Sequence, residues 1–140
     1  MDPLSRAERS ERMGRVRAKD TKPEMTVRRL VHGMGYRYRL HSKKLPGKPD
    51  LVFSSRRKVI LVHGCFWHLH ENCNHYKFPQ SRLDFWRPKL EANRKRDEDV
   101  RRRLQGAGWG VMVIWECELR DRGGLARAIE DFLGGGHGVH

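Results

Sequence analysis

KVILVHGCFWHLHENCNH, residues 58–75, joins an unbroken apolar run, Val59-Ile60-Leu61-Val62, to a stretch with four histidines and two cysteines. The run has the length and composition of a buried strand. The residues after it therefore leave the end of a rigid element, which is where binding and catalytic groups are commonly carried. The fold depends on what this strand pairs with, and the chemistry on how its trailing side chains are divided.

Working outward from Lys58, the polar segment Ser54 to Arg57 reads as a hairpin connection back to a second strand, Asp50-Leu51-Val52-Phe53. That strand is entered through Leu45-Pro46-Gly47-Lys48-Pro49, a rigid turn. Before the turn, Tyr36, Tyr38 and Leu40 alternate with Arg37 and Arg39, the period of a half-exposed strand. Earlier still, Thr21-Lys22-Pro23-Glu24 has the form of a helix start, with Thr21 as N-cap and Glu24 three residues on. Val27, Leu30, Val31 and Met34 then form one apolar helix face, which Gly33 and Gly35 bring to an end.

On the other side, a helical region is expected from Ser81, with Pro88 kinking or restarting it. Its apolar face is thin (Leu90, Val100, Leu104) and its basic face dense (Arg94, Lys95, Arg96, Arg101, Arg102, Arg103), and Gly106 and Gly108 stop it. Trp109–Trp115 contains the continuous run Val111-Met112-Val113-Ile114, which fits a strand covered on both faces. A closing helix carries Leu125, Ala128, Ile129, Phe132 and Leu133 on one side. The order helix, three strands, helix, strand, helix predicts an α/β fold with a mixed sheet flanked by helices.

Right-handed crossover would set the third and fourth strands parallel, so that both release their chain at one edge. Cys65 and Cys117 would then emerge together. With Cys73 and one histidine of the loop they complete four ligands of the kind that select zinc in a closed structural site. His70 is the histidine chosen, with His68 and His75 as competitors, and three buried free cysteines as the plain alternative.

The chain has 140 residues, with 30 Lys+Arg against 17 Asp+Glu, a net charge of +13. One domain over residues 21–133 is expected, preceded by a basic arm over 1–20 and followed by a flexible tail over 134–140. So large an excess of cations calls for a polyanionic partner, and nucleic acid leads. No apolar stretch approaches the ~18 residues of a membrane span. The N-terminus lacks the apolar centre of a secretory signal. Asp50, opening its strand, could hold Mg2+, and His63 and His68 could reach the same edge. A metal ion with a histidine is a workable kit for phosphodiester hydrolysis.

The segments LPGKPD (45–50), VHGCFWH (62–68), DFW (84–86) and WEC (115–117) resemble those of the very-short-patch repair (Vsr) endonucleases. The match keeps the same order from about Asp20 to Phe132. The resemblance implies a restriction-endonuclease-like fold. It also implies nicking of one DNA strand on the 5′ side of the T in T:G mismatches left by deamination of 5-methylcytosine. The enzyme would be a monomer of the bacterial cytoplasm, working at the nucleoid on double-stranded DNA, with mismatch-repair proteins as further partners.

Carried over residue by residue, the resemblance makes Asp50 and the backbone carbonyl of Val62 the ligands of a catalytic Mg2+, and His68 the general base. His63 and Glu24 would support them, and Cys65, His70, Cys73 and Cys117 would hold a structural Zn2+. Phe66, Trp67 and Trp86 would wedge into the DNA beside the mismatch. Plainer roles exist for two of these: Glu24 completes a capping box, and Trp86 packs helix on sheet.

The chain departs from the pattern in three places. Val59–Val62 offers no Glu, Gln or Lys, Val62 stands where the family often has threonine, and His70 to Cys73 is one residue longer, which predicts a bulged loop. The alternatives are a restriction-type or general endonuclease of the same fold and a non-catalytic, zinc-stabilised DNA-binding module.

Overall fold

A computed structural model describes residues 21–70, 73 and 82–134. The expected arm, the helix start at Ser81, His75 and the tail beyond Gly134 lie outside the described residues, as do two residues of the predicted bulge. The elements are α1 (Lys22–Gly33), β1 (Arg39–Leu40), β2 (Leu51–Phe53), β3 (Lys58–His63), α2 (Leu83–Gly106), β4 (Gly110–Trp115) and α3 (Arg122–Leu133). One mixed sheet runs in the order β1-β2-β3-β4. The β1/β2 and β2/β3 pairs are antiparallel. β3 and β4 are parallel, in register from Lys58 opposite Gly110 to His63 opposite Trp115.

Period-2 alternation divides the strand side chains between two cores. Leu51, Phe53, Ile60 and Ile114 pack with Val27 and Val31 of α1 and Leu125, Ile129 and Leu133 of α3. Val52 and Val59 pack on the opposite face with Leu104 of α2, joined by Leu45, Val100, Trp109 and Val111. Each of these fully buried aliphatic side chains contributes about 2 kcal/mol. The same alternation carries His63 to the α2 face and Val62 toward α1, the division on which the site depends.

Three local expectations are corrected, and a fourth, at Pro88, is narrowed. Only Arg39 and Leu40 pair as β1. Tyr36 and Tyr38 alternate because their rings turn to the core, while their hydroxyls donate to Glu130 Oε1 at 2.7 Å and to the Arg28 carbonyl at 3.2 Å. β4 is an edge strand, so within it Ile114 alone is fully buried. Helix α2 runs through Pro88 without restarting. Proline removes one N–H in the second turn, and the aromatic side chains of the first turn hold that end by packing instead. On α3, Ala128 faces solvent.

The polar hairpin connection also has structural work. Arg56 donates to the Leu133 carbonyl at 2.9 Å, and the Lys58 ammonium to that of Phe132. Arg57 donates to the Ala107 carbonyl at 2.9 Å. Three consecutive cations thus satisfy the open C-terminal ends of α3 and α2, where cations are favoured.

The turn before β2 leans on α2. Gly47 has φ +74°, and a Cβ placed on it would lie 2.5 Å from Val100 Cγ1, on a stiff β-branched side chain. Gly47→Ala is expected to lose about 1–3 kcal/mol, from left-handed strain together with the clash. A thermal midpoint equal to the parent's would contradict this close packing.

Candidate active site

Asp50 ends the rigid turn one residue before β2. Its Oδ2 accepts a hydrogen bond from the Val62 N–H at 2.7 Å, which fastens the carboxylate to the end of β3. Extending the Leu51–Ile60 register by two positions brings Pro49 opposite Val62, where proline has no N–H to give the Val62 carbonyl. In extended backbone the N–H and C=O of one residue point the same way. The Val62 carbonyl therefore faces the edge that Asp50 occupies.

Glu24, from the first turn of α1, reaches the same place. Its N–H is capped by Thr21 Oγ1 at 3.3 Å, as the helix-start pattern predicts. Its carboxylate, only 2% exposed, is turned inward, against the Arg28 guanidinium and His41 Nε2 at 2.7 Å. Glu24, His41 and Asp50 each bring a ligand atom within 4.8 Å of the others. Burial, more than the charge of neighbouring Glu24, pushes the Asp50 carboxyl up to about 7 against the pull of the Val62 N–H. A buried and a half-buried carboxylate beside a backbone carbonyl form an oxygen-rich set that suits a hard divalent cation.

This shift has a stability consequence in protein without Mg2+. The folded chain keeps a proton on Asp50 up to about 7, whereas the unfolded chain loses it near the ordinary carboxylate value, about 3.9. The stabilisation is complete at low pH and is lost as pH rises through 7. Asp50→Asn carries no such proton, so its melting point should stand furthest above the parent's at pH 8, with the gap narrowing as pH falls and closing only below the ordinary carboxylate value, about 3.9. A gap that does not change with pH would contradict this assignment.

The histidine pair faces the same cleft from β3 and the loop after it. His63 and His68 stack with centroids 3.9 Å apart and planes 7° from parallel. Burial, followed by the charge of His68, lowers His63 to about 3, so it is neutral at physiological pH. Its Nδ1 is buried without a hydrogen-bond partner among the described residues. His68 Nδ1 is bound to Asp97 of α2. A carboxylate accepts, which assigns the proton to Nδ1 and leaves the Nε2 lone pair available. The cleft, of about 460 Å³, is lined by His41, Asp50, Val62, His63, His68 and Asp97 among others.

The loop separates its histidines by backbone geometry. Leu69, between them, has φ 50°, a left-handed conformation costly for a branched side chain. His68 goes to Asp97 while His70 joins Cys65, Cys73 and Cys117, whose ligand atoms all lie within 4.8 Å of one another. His70 Nδ1 is 3.5 Å from Cys117 Sγ. Of its two competitors, His68 is engaged elsewhere, and His75 lies outside the described residues. Burial pushes the Cys65 thiol up to about 12 and raises Cys117. Three thiols and an imidazole in this space fit a tetrahedral cation that takes them as thiolates. His70 also stacks on Trp115 at 4.0 Å, and Trp115 meets His63 edge-on at 5.1 Å, so the cysteine cluster buttresses the stacked histidine pair.

Phe66, Trp67 and Trp86 form a separate aromatic group. Phe66 lies 5.1 Å from Trp67 and 5.4 Å from Trp86, and the two tryptophans are 6.0 Å apart. All three are half-buried, and Trp86 packs on the loop aromatics rather than in either core. Phe85, 36% exposed, extends the group at 5.0 Å from Trp86. Buried Asn93 of α2 donates to the Trp67 carbonyl at 3.3 Å and ties the loop to the helix.

Sequence reading missed His41, Asp97, Asn93 and Phe85. For two of them a signal existed. Leu90, Asn93, Asp97, Val100 and Leu104 follow one another at helical spacing, so Asn93 and Asp97 are polar residues on the face turned toward the sheet.

A family model described as DNA mismatch endonuclease Vsr matches residues 1–75. A protein named Type II nicking enzyme V.XorIIP, from Xanthomonas oryzae pv. oryzae, is 52% identical over 132 residues, covering 94% of this chain and 96% of that protein. DNA mismatch endonuclease Vsr of Escherichia coli is 41% identical over 121 residues, 86% of this chain and 77% of that one. Among solved structures, the catalytic domain of a homing endonuclease gives a TM-score of 0.49 at 20% identity, over 81% of this chain and 94% of that one.

Proposed function

The chain belongs to the DNA mismatch endonuclease Vsr family and is a mismatch-nicking DNA endonuclease, and on that footing we propose a specific substrate, cofactor set and division of labour. The substrate is duplex DNA with a T:G mismatch arising from 5-methylcytosine deamination, cut in one strand 5′ of the T. The observation that carries the catalytic assignment is the convergence of Asp50, the Val62 edge, His63 and the His68–Asp97 pair on one cleft. The setting is the bacterial nucleoid, and the enzyme acts as a monomer, with mismatch-repair proteins as further partners.

Asp50 and the Val62 carbonyl hold Mg2+, which when bound offsets the negative charge that builds on the scissile phosphate. His68 takes the proton of the attacking water at Nε2, and Asp97 holds the ring and stabilises the imidazolium that forms. His63, neutral, presents its stacked ring toward the same phosphate and adds no second positive charge beside His68. Glu24 supports Asp50 from beneath. Cys65, His70, Cys73 and Cys117 hold a structural Zn2+ that fixes the loop carrying His68.

Phe66, Trp67 and Trp86 enter the DNA stack at the mismatch, where unstacking is least costly. The net charge of +13 supports binding to the phosphate backbone, and the basic arm over 1–20 is assigned to it.

Duplexes labelled on either strand, T:G or T:A, with and without Mg2+, test this reading. Product from the T strand of the T:G duplex alone, and only with Mg2+, is expected. Cutting of both strands of paired DNA would return the enzyme to a general endonuclease. Binding without product under any metal would reduce it to a binding module.

A further inference from the structure

His41 has no part in the scheme above, yet it occupies its floor. Its Nε2 is 2.7 Å from Glu24 Oε2, and the ligand atoms of Glu24, His41 and Asp50 fall within 4.8 Å of one another. Its own N–H donates to the Asp50 carbonyl at 3.3 Å, and it holds a left-handed φ of 47°. The backbone thus aims this ring at the two carboxylates, while His41 lines the same cleft as Asp50 and Val62.

We propose that His41 is a nitrogen ligand of the cation held at Asp50, which makes the site selective for a first-row transition ion such as Mn2+ over Mg2+. Mg2+ requires oxygen ligands in near-octahedral array and gains little from an imidazole. Mn2+ and the ions after it accept mixed nitrogen and oxygen sets, and affinity rises along the series. The charge balance does not separate the two ions. Arg28, bound to the carboxylate of Glu24, offsets one of the two negative charges for either dication alike. The imidazole is the donor that distinguishes them. On binding, the ion takes the place of the His41 Nε2–Glu24 contact, so both groups become its donors.

The inference rests on the proposed cation site at Asp50, and the test separates the two. Zinc-loaded full-length protein, free of Mg2+, is titrated with Mn2+ while the signal of free aqueous Mn2+ is followed by electron paramagnetic resonance. Mg2+ is then measured by displacement. Mn2+ should bind at least tenfold tighter than Mg2+ (on the order of 1.4 kcal/mol or more). His41→Gln should weaken Mn2+ at least tenfold and leave Mg2+ within about twofold. Equal loss of both ions, or loss of neither, overturns the role of His41. Asp50→Asn should lose both. If it retains Mn2+, the ion lies elsewhere and the cation site itself is refuted. Zinc content measured in each variant confirms that the fold is intact.

Discussion

His68→Ala lowers the single-turnover nicking rate by about a thousandfold or more, the range of a positioned general base, and leaves bound zinc and the thermal midpoint near the parent's. The separation is expected because His68 is half-buried at the cleft wall and is not among the cysteine-cluster ligands. Asp50→Asn should lose as much by a different route. It keeps a hydrogen-bond acceptor for the Val62 N–H, so the β2–β3 edge survives, but it removes the anionic ligand. Asp97→Asn should lose less than either, because His68 keeps Nε2 and loses only the carboxylate that fixes its tautomer and supports its charge. Raised pH should recover none of the Asp50→Asn loss. Nicking by either main variant within about tenfold of the parent would remove that residue from the chemistry.

Cys117→Ser is expected to lose the bound zinc and to lower stability by several kcal/mol, since structural zinc sites contribute folding energy directly. Cys117 follows β4, whereas Cys65, His70 and Cys73 follow β3. The serine variant therefore releases the loop from one of the two strands that anchor it. Because Cys65 and His70 bracket His68, nicking should fall together with zinc. Metal analysis should find about one zinc per parent chain and none in the variant. A variant that melts with the parent while holding no zinc would reduce the cluster to three apolar cysteines.

The sheet was legible because two apolar runs, Val59–Val62 and Val111–Ile114, are separated by one long helical pattern, and crossover handedness then makes them parallel neighbours. That single step brought Cys65 and Cys117 to one edge. Local patterns were less safe where two causes give one spacing. Tyr36 and Tyr38 alternate with arginines as a paired strand would, but they do so by sending rings into the core and hydroxyls to Glu130 and Arg28.

The site residues that escaped notice are those whose partners are distant in sequence. Asp97 reads as one more charge in a run of charges until its place among Leu90, Asn93, Val100 and Leu104 turns it toward His68. His41 follows a two-residue strand in a polar turn, and nothing local announces that Glu24 waits 17 positions earlier. The left-handed turn at Leu69, which sends His68 and His70 to different tasks, has no sequence signature, because leucine is a poor residue for that conformation.

The proposed entry of Phe66, Trp67 and Trp86 into the DNA implies that the scissile bond is chosen by where the helix opens. Phe66 and Trp67 are two and one residues from His68, so the aromatic group and the proposed base are held at a fixed offset. The cut should then follow the mismatch and not the surrounding sequence alone. Mapping the nick at single-nucleotide resolution, with the mismatch moved along an otherwise constant duplex, tests this most directly. The account predicts one product, ending at the phosphodiester 5′ of the mispaired T and shifting with it, and little product from the paired duplex. Product at a constant position, or equal product from paired DNA, would contradict it.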